Sequence, residues 1–158
     1  MFAKKEKIRL LLPSAILGCI VKYADGLFPK ETGGCLMGYM GGSEDIIVTH
    51  IVKGGPRATN TKNSFVPDYE FQEKEIERIY FETNRTSTYL GDWHTHPKGQ
   101  KILSSTDINT LYNISRYRRA RARFPVMMLL AGKKESWNLR LWQLWRKKIM
   151  EIELVIVN

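Results

Sequence analysis

The segment Trp93-His94-Thr95-His96-Pro97, followed by Ser104 and Asp107, constrains the fold more tightly than any other part of the chain. It sets two of the three histidines two residues apart, then a hydroxyl, then a carboxylate. Ser87 to Trp93 is rich in β-branched and aromatic residues and reads as a strand running into His94. Residues i and i+2 of a strand share a face, so His94 and His96 project together and Thr95 turns away. Pro97 cannot donate to a sheet ladder and helps end the strand. Ser104-Ser105-Thr106-Asp107 has the form of a capping box ahead of Ile108, Leu111 and Tyr112. Asp107 then falls in the first turn of a helix. A fold that unites these groups must bend Lys98–Leu103 so that the strand's end meets the helix's start.

The donor set suits an open zinc site, which takes three protein ligands and leaves one position free. His94, His96 and Asp107 are the expected ligands of one zinc ion per chain. Taken singly, Ser104 and Asp107 read as an N-cap and a favourable first-turn charge, and a lone histidine reads as structural. The ordered combination favours the metal. Cys19 and Cys35 form no CxxC pair and read as small buried hydrophobes. No Pro-Cys-x-x-Cys element is present, which sets aside a cysteine-ligated deaminase.

The order His94-x-His96, seven residues, Ser104, two residues, Asp107 resembles the JAMM motif of the JAB/MPN metallopeptidase family. Glu31-Thr32-Gly33-Gly34-Cys35-Leu36-Met37-Gly38 is similar to that family's glutamate segment. From composition alone, Glu31 reads as an exposed acid before a glycine-rich strand. The resemblance implies instead a zinc isopeptidase or peptidase in which Glu31 is the general base. It also implies that Ser104 helps hold the tetrahedral oxyanion.

Gly54–Ala58, Phe65–Asp68 and Gly91–Pro97 are similar to compact bacterial JAB proteins. Some of these accompany E1- and E2-like conjugation proteins in antiphage operons of the CBASS type. That likeness implies cleavage after the C-terminus of a ubiquitin-like or conjugated protein. A cyclic-oligonucleotide synthase joined to its target is one such substrate. Two alternatives stand beside it. RadC-like JAB proteins associated with DNA carry Asn between the histidines and Ser-Gly after the proline, where this chain has Thr95 and Lys98-Gly99. A non-catalytic JAB binding module has no chemical reason to keep all five motif residues.

The 158 residues suit a single domain, 1–158. No apolar run reaches the roughly 20 residues of a membrane span, so no membrane partner is expected. Lys4, Lys5, Glu6 and Lys7 are followed only by the short Leu10-Leu11-Leu12 run, too little for a signal peptide. A cytoplasmic protein is the default. The net charge is +9. Arg116, Arg118, Arg119, Arg121 and Arg123 cluster after the Asp107 helix, and Arg140, Arg146, Lys147 and Lys148 follow. A solvated face ranks first for this cluster, an acidic protein surface second and nucleic acid last.

Elsewhere, Leu12, Ile16, Cys19, Ile20 and Tyr23 recur at helical spacing behind Pro13. Gly33–Met40 and Ile46–Val52 read as a hairpin turning at Gly41-Gly42-Ser43, with His50 as a structural residue. Lys53–Pro67 reads as a loop, a groove wall or a plain connection. Asp68 caps a helix that buries Ile76, Ile79 and Tyr80. Pro125–Ala131 reads as a strand buried on both faces. Trp137, Leu139 and Leu141 alternate in another strand, and Trp142 and Trp145 break its phase through a bulge or a second buried face. Glu151–Val157 reads as a last strand, at an edge or a dimer interface. The expected fold is α/β and JAB/MPN-like, a mixed β-sheet flanked by about three helices.

Overall fold

The computed structural model describes residues 7–42 and 44–158. The charged residues Lys4, Lys5 and Glu6 and the turn residue Ser43 therefore lie outside the described residues. The described elements run in this order: β1 (Arg9–Pro13), α1 (Ser14–Leu27), β2 (Gly33–Gly41), β3 (Asp45–Val52), β4 (Thr59–Asn60), β5 (Phe65–Val66), α2 (Tyr69–Glu82), β6 (Thr88–Pro97), α3 (Ser105–Arg116), β7 (Val126–Lys133), β8 (Ser136–Trp145), β9 (Lys148–Glu151) and β10 (Glu153–Val157). Eight strands form one mixed sheet in the order β10-β1-β3-β2-β6-β7-β8-β9, and β4 and β5 pair separately. The expected α/β architecture is what the chain adopts. Among the described residues no helix is long and apolar enough to cross a membrane.

The sheet curls until its two edges are joined by one extended segment. Residues 148–151 pair antiparallel with β8, and residues 153–157 pair parallel with β1. Between them, Ile152 donates its N–H to Leu141 O at 2.9 Å. The segment thus covers all of β1 and the Trp142–Trp145 end of β8, which shortens the backbone edge open to other chains.

Side-chain alternation divides the core between the two faces. Leu36, Trp93, Met128, Leu130 and Leu141 join Ile20 and Ala24 of α1 on one face. Cys35, Met37 and Val52 meet Ile79 of α2 on the other. Met127 and Leu144 meet Leu111 of α3 there too. This second layer explains Trp142 and its neighbours. Leu141 through Leu144 are all buried, because β8 is covered on both sides.

Four local expectations change. Leu12 belongs to β1, not to the opening helix, and its side chain is fully buried in the sheet. Leu10–Leu12 is thus a core strand. Cys19 is exposed, while Cys35 is buried. At roughly 100° per residue Cys19 lies a full step round the helix from Ile20, outside the buried stripe. Lys53–Pro67 holds the β4–β5 hairpin, and β9 precedes the final strand. The hairpin's two-residue strands and β9's four residues are too short to leave a periodic signal.

Candidate metal centre

Strand β6 aims both histidines the same way, as its alternation requires. Trp93 and Thr95 are buried on the α1 side. Pro97 ends the strand, Lys98 turns the chain at φ +57°, and Gly99 N–H closes on His96 O at 3.0 Å. This bend returns the chain to Ser104, the N-cap of α3. Its hydroxyl accepts from Asp107 N–H at 3.1 Å, and the Asp107 carboxylate accepts from Ser104 N–H at 2.8 Å. The capping box is complete, and it fixes Asp107 opposite the histidines.

The three donor groups converge. His94 Nε2 lies 3.0 Å from Asp107 Oδ1 and 3.0 Å from His96 Nε2. His96 Nε2 lies 3.2 Å from Asp107 Oδ2. Tetrahedral ligands about 2.0–2.1 Å from zinc stand roughly 3.3 Å from one another. The donor set therefore fits a cation of that size. His96 Nδ1 lies 3.0 Å from Gln100 O. A carbonyl only accepts, so Nδ1 carries the hydrogen and Nε2 keeps its lone pair for a metal.

The same three groups are electrostatically coupled. Burial works against charge on Asp107, but hydrogen bonds from His94 and His96 hold it well below the usual carboxylate range. Burial also works against charge on His96. Its bonds to Asp107 and Gln100 and the nearby acids outweigh that, leaving its pKa above the ordinary value. The Glu31 carboxyl is pushed up by burial, opposed by His96 and His94 and reinforced by Asp107.

Glu31 lies just ahead of β2. Its N–H donates to Thr61 O at 2.7 Å, and its carbonyl accepts from Asn60 at 2.8 Å. The next residue is locked to the histidine strand. Thr32 N–H donates to Thr95 Oγ1 at 3.0 Å, and Thr95 N–H donates to Thr32 O at 2.9 Å. Glu31, His96 and Ser104 line one groove of about 380 Å³, with Lys62 and Gln100 on its walls. The five motif positions thus meet in one place. His50 is exposed, bonded to Thr49 at 2.9 Å, and lies outside the cluster.

Three contributors are not apparent from the spacing of the motif. Thr95 is the clamp that positions Glu31. Gln100 supplies a backbone oxygen, which no side-chain pattern reveals. Asp92 accepts from Tyr89 Oη at 2.6 Å on the same side of β6 as His94. Burial raises its pKa, against the bond from Tyr89 and the nearness of His94. The alternation that pairs the histidines also marks Asp92, two residues before His94.

Residues 13–145 match the family model described as prokaryotic homologs of the JAB domain. The chain is 39% identical over 142 residues to the probable metalloprotease y4qB of Sinorhizobium fredii, covering 88% of this chain and 87% of that one. It is 28% identical over 108 residues to the CD-NTase/cGAS isopeptidase of Escherichia coli, covering 68% and 65%. Its fold is similar to the solution structure of DSY2949 from Desulfitobacterium hafniense, at TM-score 0.70 and 15% identity over 96% of this chain and 94% of that one.

Proposed function

The chain belongs to the prokaryotic JAB-domain family and is a JAMM-type peptidase, and on that premise we propose that it is a zinc-dependent isopeptidase acting on the C-terminal junction of a conjugated protein. The observation that carries the reading is the meeting of His94 Nε2, His96 Nε2 and the Asp107 carboxylate beside Glu31 in one groove.

His94, His96 and Asp107 would hold the metal. Zinc there supplies Lewis acidity, activating water near neutral pH and polarising the scissile carbonyl. Glu31 takes a proton from the attacking water and passes it to the departing amine, a role typically worth about 10²–10⁴-fold. Its burial beside two imidazoles keeps it close to the reacting atoms without making it a ligand. Ser104 Oγ already accepts the Asp107 N–H, so its own hydrogen is free to point at a developing oxyanion. One such donor is worth about 10²–10³ in turnover.

The substrate reading is a ubiquitin-like or enzyme-conjugated C-terminal tail, made by an E1/E2-like system. The Escherichia coli relative, named as an isopeptidase for a CD-NTase, supports a cyclic-oligonucleotide synthase as the conjugated protein and an antiphage setting. We read residues 1–158 as one domain, which the family match and the closure of the sheet by residues 148–157 support. Two unpaired cysteines suit the reducing cytoplasm.

Intact-mass analysis tests this directly. A synthase joined through its C-terminal carboxyl to an amine is incubated with zinc-loaded protein, chelated protein and Glu31→Ala. A new terminus with the zinc-loaded wild type alone is the expected result. Survival of the conjugate with zinc bound would remove this substrate, and full activity of Glu31→Ala would remove the mechanism.

A further inference from the structure

A second concavity, of about 740 Å³, lies at the opposite end of α3 from the metal centre, and cations dominate its wall. Arg116, Arg123, Arg146 and Lys147 line it, and among the described residues no carboxylate does. None of these four forms an ion pair among the described residues. By contrast, Arg9, Arg57, Lys74, Arg78 and Arg140 are all paired. Arg140 therefore leaves the basic group that the sequence suggests, held by both oxygens of Glu151. Arg118, Arg119 and Arg121 border the groove in sequence and are exposed.

The arginines are held in order. Arg123 lies 5.4 Å over the Phe124 ring, Phe124 and Trp145 meet at 4.2 Å between centroids with a 37° tilt, and Arg146 lies 5.5 Å over the Trp145 ring. Arg116 lies 5.7 Å over Tyr112, whose hydroxyl donates to Lys147 O at 3.0 Å. That bond ties the end of α3 to the β8–β9 turn. The turn is two residues long, Arg146-Lys147, and both have positive φ, +45° and +69°. Such a turn favours Asn and Gly. Here it holds two cations instead.

We infer that this groove is an exosite that docks an acidic segment on the protein substrate of the isopeptidase. Every ring along the wall already contacts a guanidinium, so the groove presents cations ahead of bare stacking faces. It offers preset guanidinium forks, whose planar donors match carboxylates. The twelve residues of α3 separate groove and metal centre by about 18 Å. A protein cut at the metal spans that distance with its folded body or with about six extended residues beside the scissile bond. The assignment of the partner as substrate rests on the isopeptidase reading, whereas the binding itself does not.

Fluorescence anisotropy with a labelled poly-glutamate peptide tests the inference, with single-stranded oligothymidylate as the comparison. The peptide is expected to bind at low salt and to weaken as salt screens the charges. The triple variant Arg116→Gln/Arg123→Gln/Arg146→Gln should weaken it roughly tenfold or more, while His94→Ala leaves it unchanged. In the wild-type chain the Trp145 indole resonance should move on titration and that of buried Trp93 should not. Absence of binding, an unmoved Trp145 signal or undiminished binding in the triple variant overturns the exosite. Tighter oligothymidylate binding through the same arginines overturns the protein partner. Cleavage of a conjugate without peptide binding would sink the exosite alone, and peptide binding without any cleavage would count against the isopeptidase reading alone.

Discussion

At the scale of single residues, the site depends on a side chain that carries no reactive group. Thr95 faces away from the metal centre, and its hydroxyl receives the N–H of Thr32, the neighbour of Glu31. Thr95→Val keeps the shape and removes the acceptor. An unsatisfied buried N–H costs about 1–3 kcal/mol, so thermal melting should show a loss of that size. Turnover should fall with it while metal content is unchanged, because Glu31 loses its anchor and none of the three donor residues changes. The convergence of the two candidate ligands is legible in the sequence, since His94-x-His96 needs only the two-residue period of a strand. Thr95 is visible there only as the residue between them. Its partner lies 63 positions away, and no local pattern reports a contact of that range.

At the scale of elements, the capping box does two jobs. It starts α3 and places a ligand, so Ser104 substitutions mix stability with chemistry. Two of them separate the roles. Ser104→Ala should cost about 1 kcal/mol of stability, and Ser104→Gly only a few tenths, because glycine is an acceptable N-cap. Both lose the hydroxyl, and both should lose comparable turnover in a cleavage assay. Equal turnover to wild type in the glycine variant would leave Ser104 a cap and nothing more. The β8–β9 turn offers the converse trade. Lys147→Gly relieves a left-handed residue and should raise stability by about 1 kcal/mol, seen as a higher melting temperature, while weakening poly-glutamate binding. Element identity is easily read for α2, α3 and the β2–β3 hairpin, where caps and periodicity agree. In β6 a bulge intervenes. Leu36 pairs with Gly91 but Met37 with Tyr89, so Leu90 and Asp92 fall on opposite faces despite their spacing. Gly91 permits this at φ +149°, where an added Cβ would meet Val126 O at 2.0 Å.

At the scale of the molecule, the metal centre joins β6 to α3 across the Lys98–Leu103 bend, so metal binding should act on global stability. A ligand that binds only the folded state adds RT ln(1 + [L]/Kd), about 4 kcal/mol at a thousandfold excess over Kd. Zinc should therefore raise the melting temperature of the wild type, chelation should reverse the rise, and His94→Ala should abolish it. An unshifted melt with zinc bound would mean that the unfolded chain holds the metal equally well. The sequence by itself determined the donor set, the strand face shared by His94 and His96, the helix start that presents Asp107 and the α/β class. Each of these follows from local geometry, where a period, a cap or a proline acts within a few residues. Only the tertiary structure decided the rest. It brought Glu31 beside the histidines through the pairing of β2 with β6, closed the sheet by passing residues 148–157 from β8 to β1, and gathered Arg116, Arg123 and Arg146 around packed rings. Those outcomes depend on which surfaces bury one another, and burial is a property of the assembled layers that no window of sequence contains.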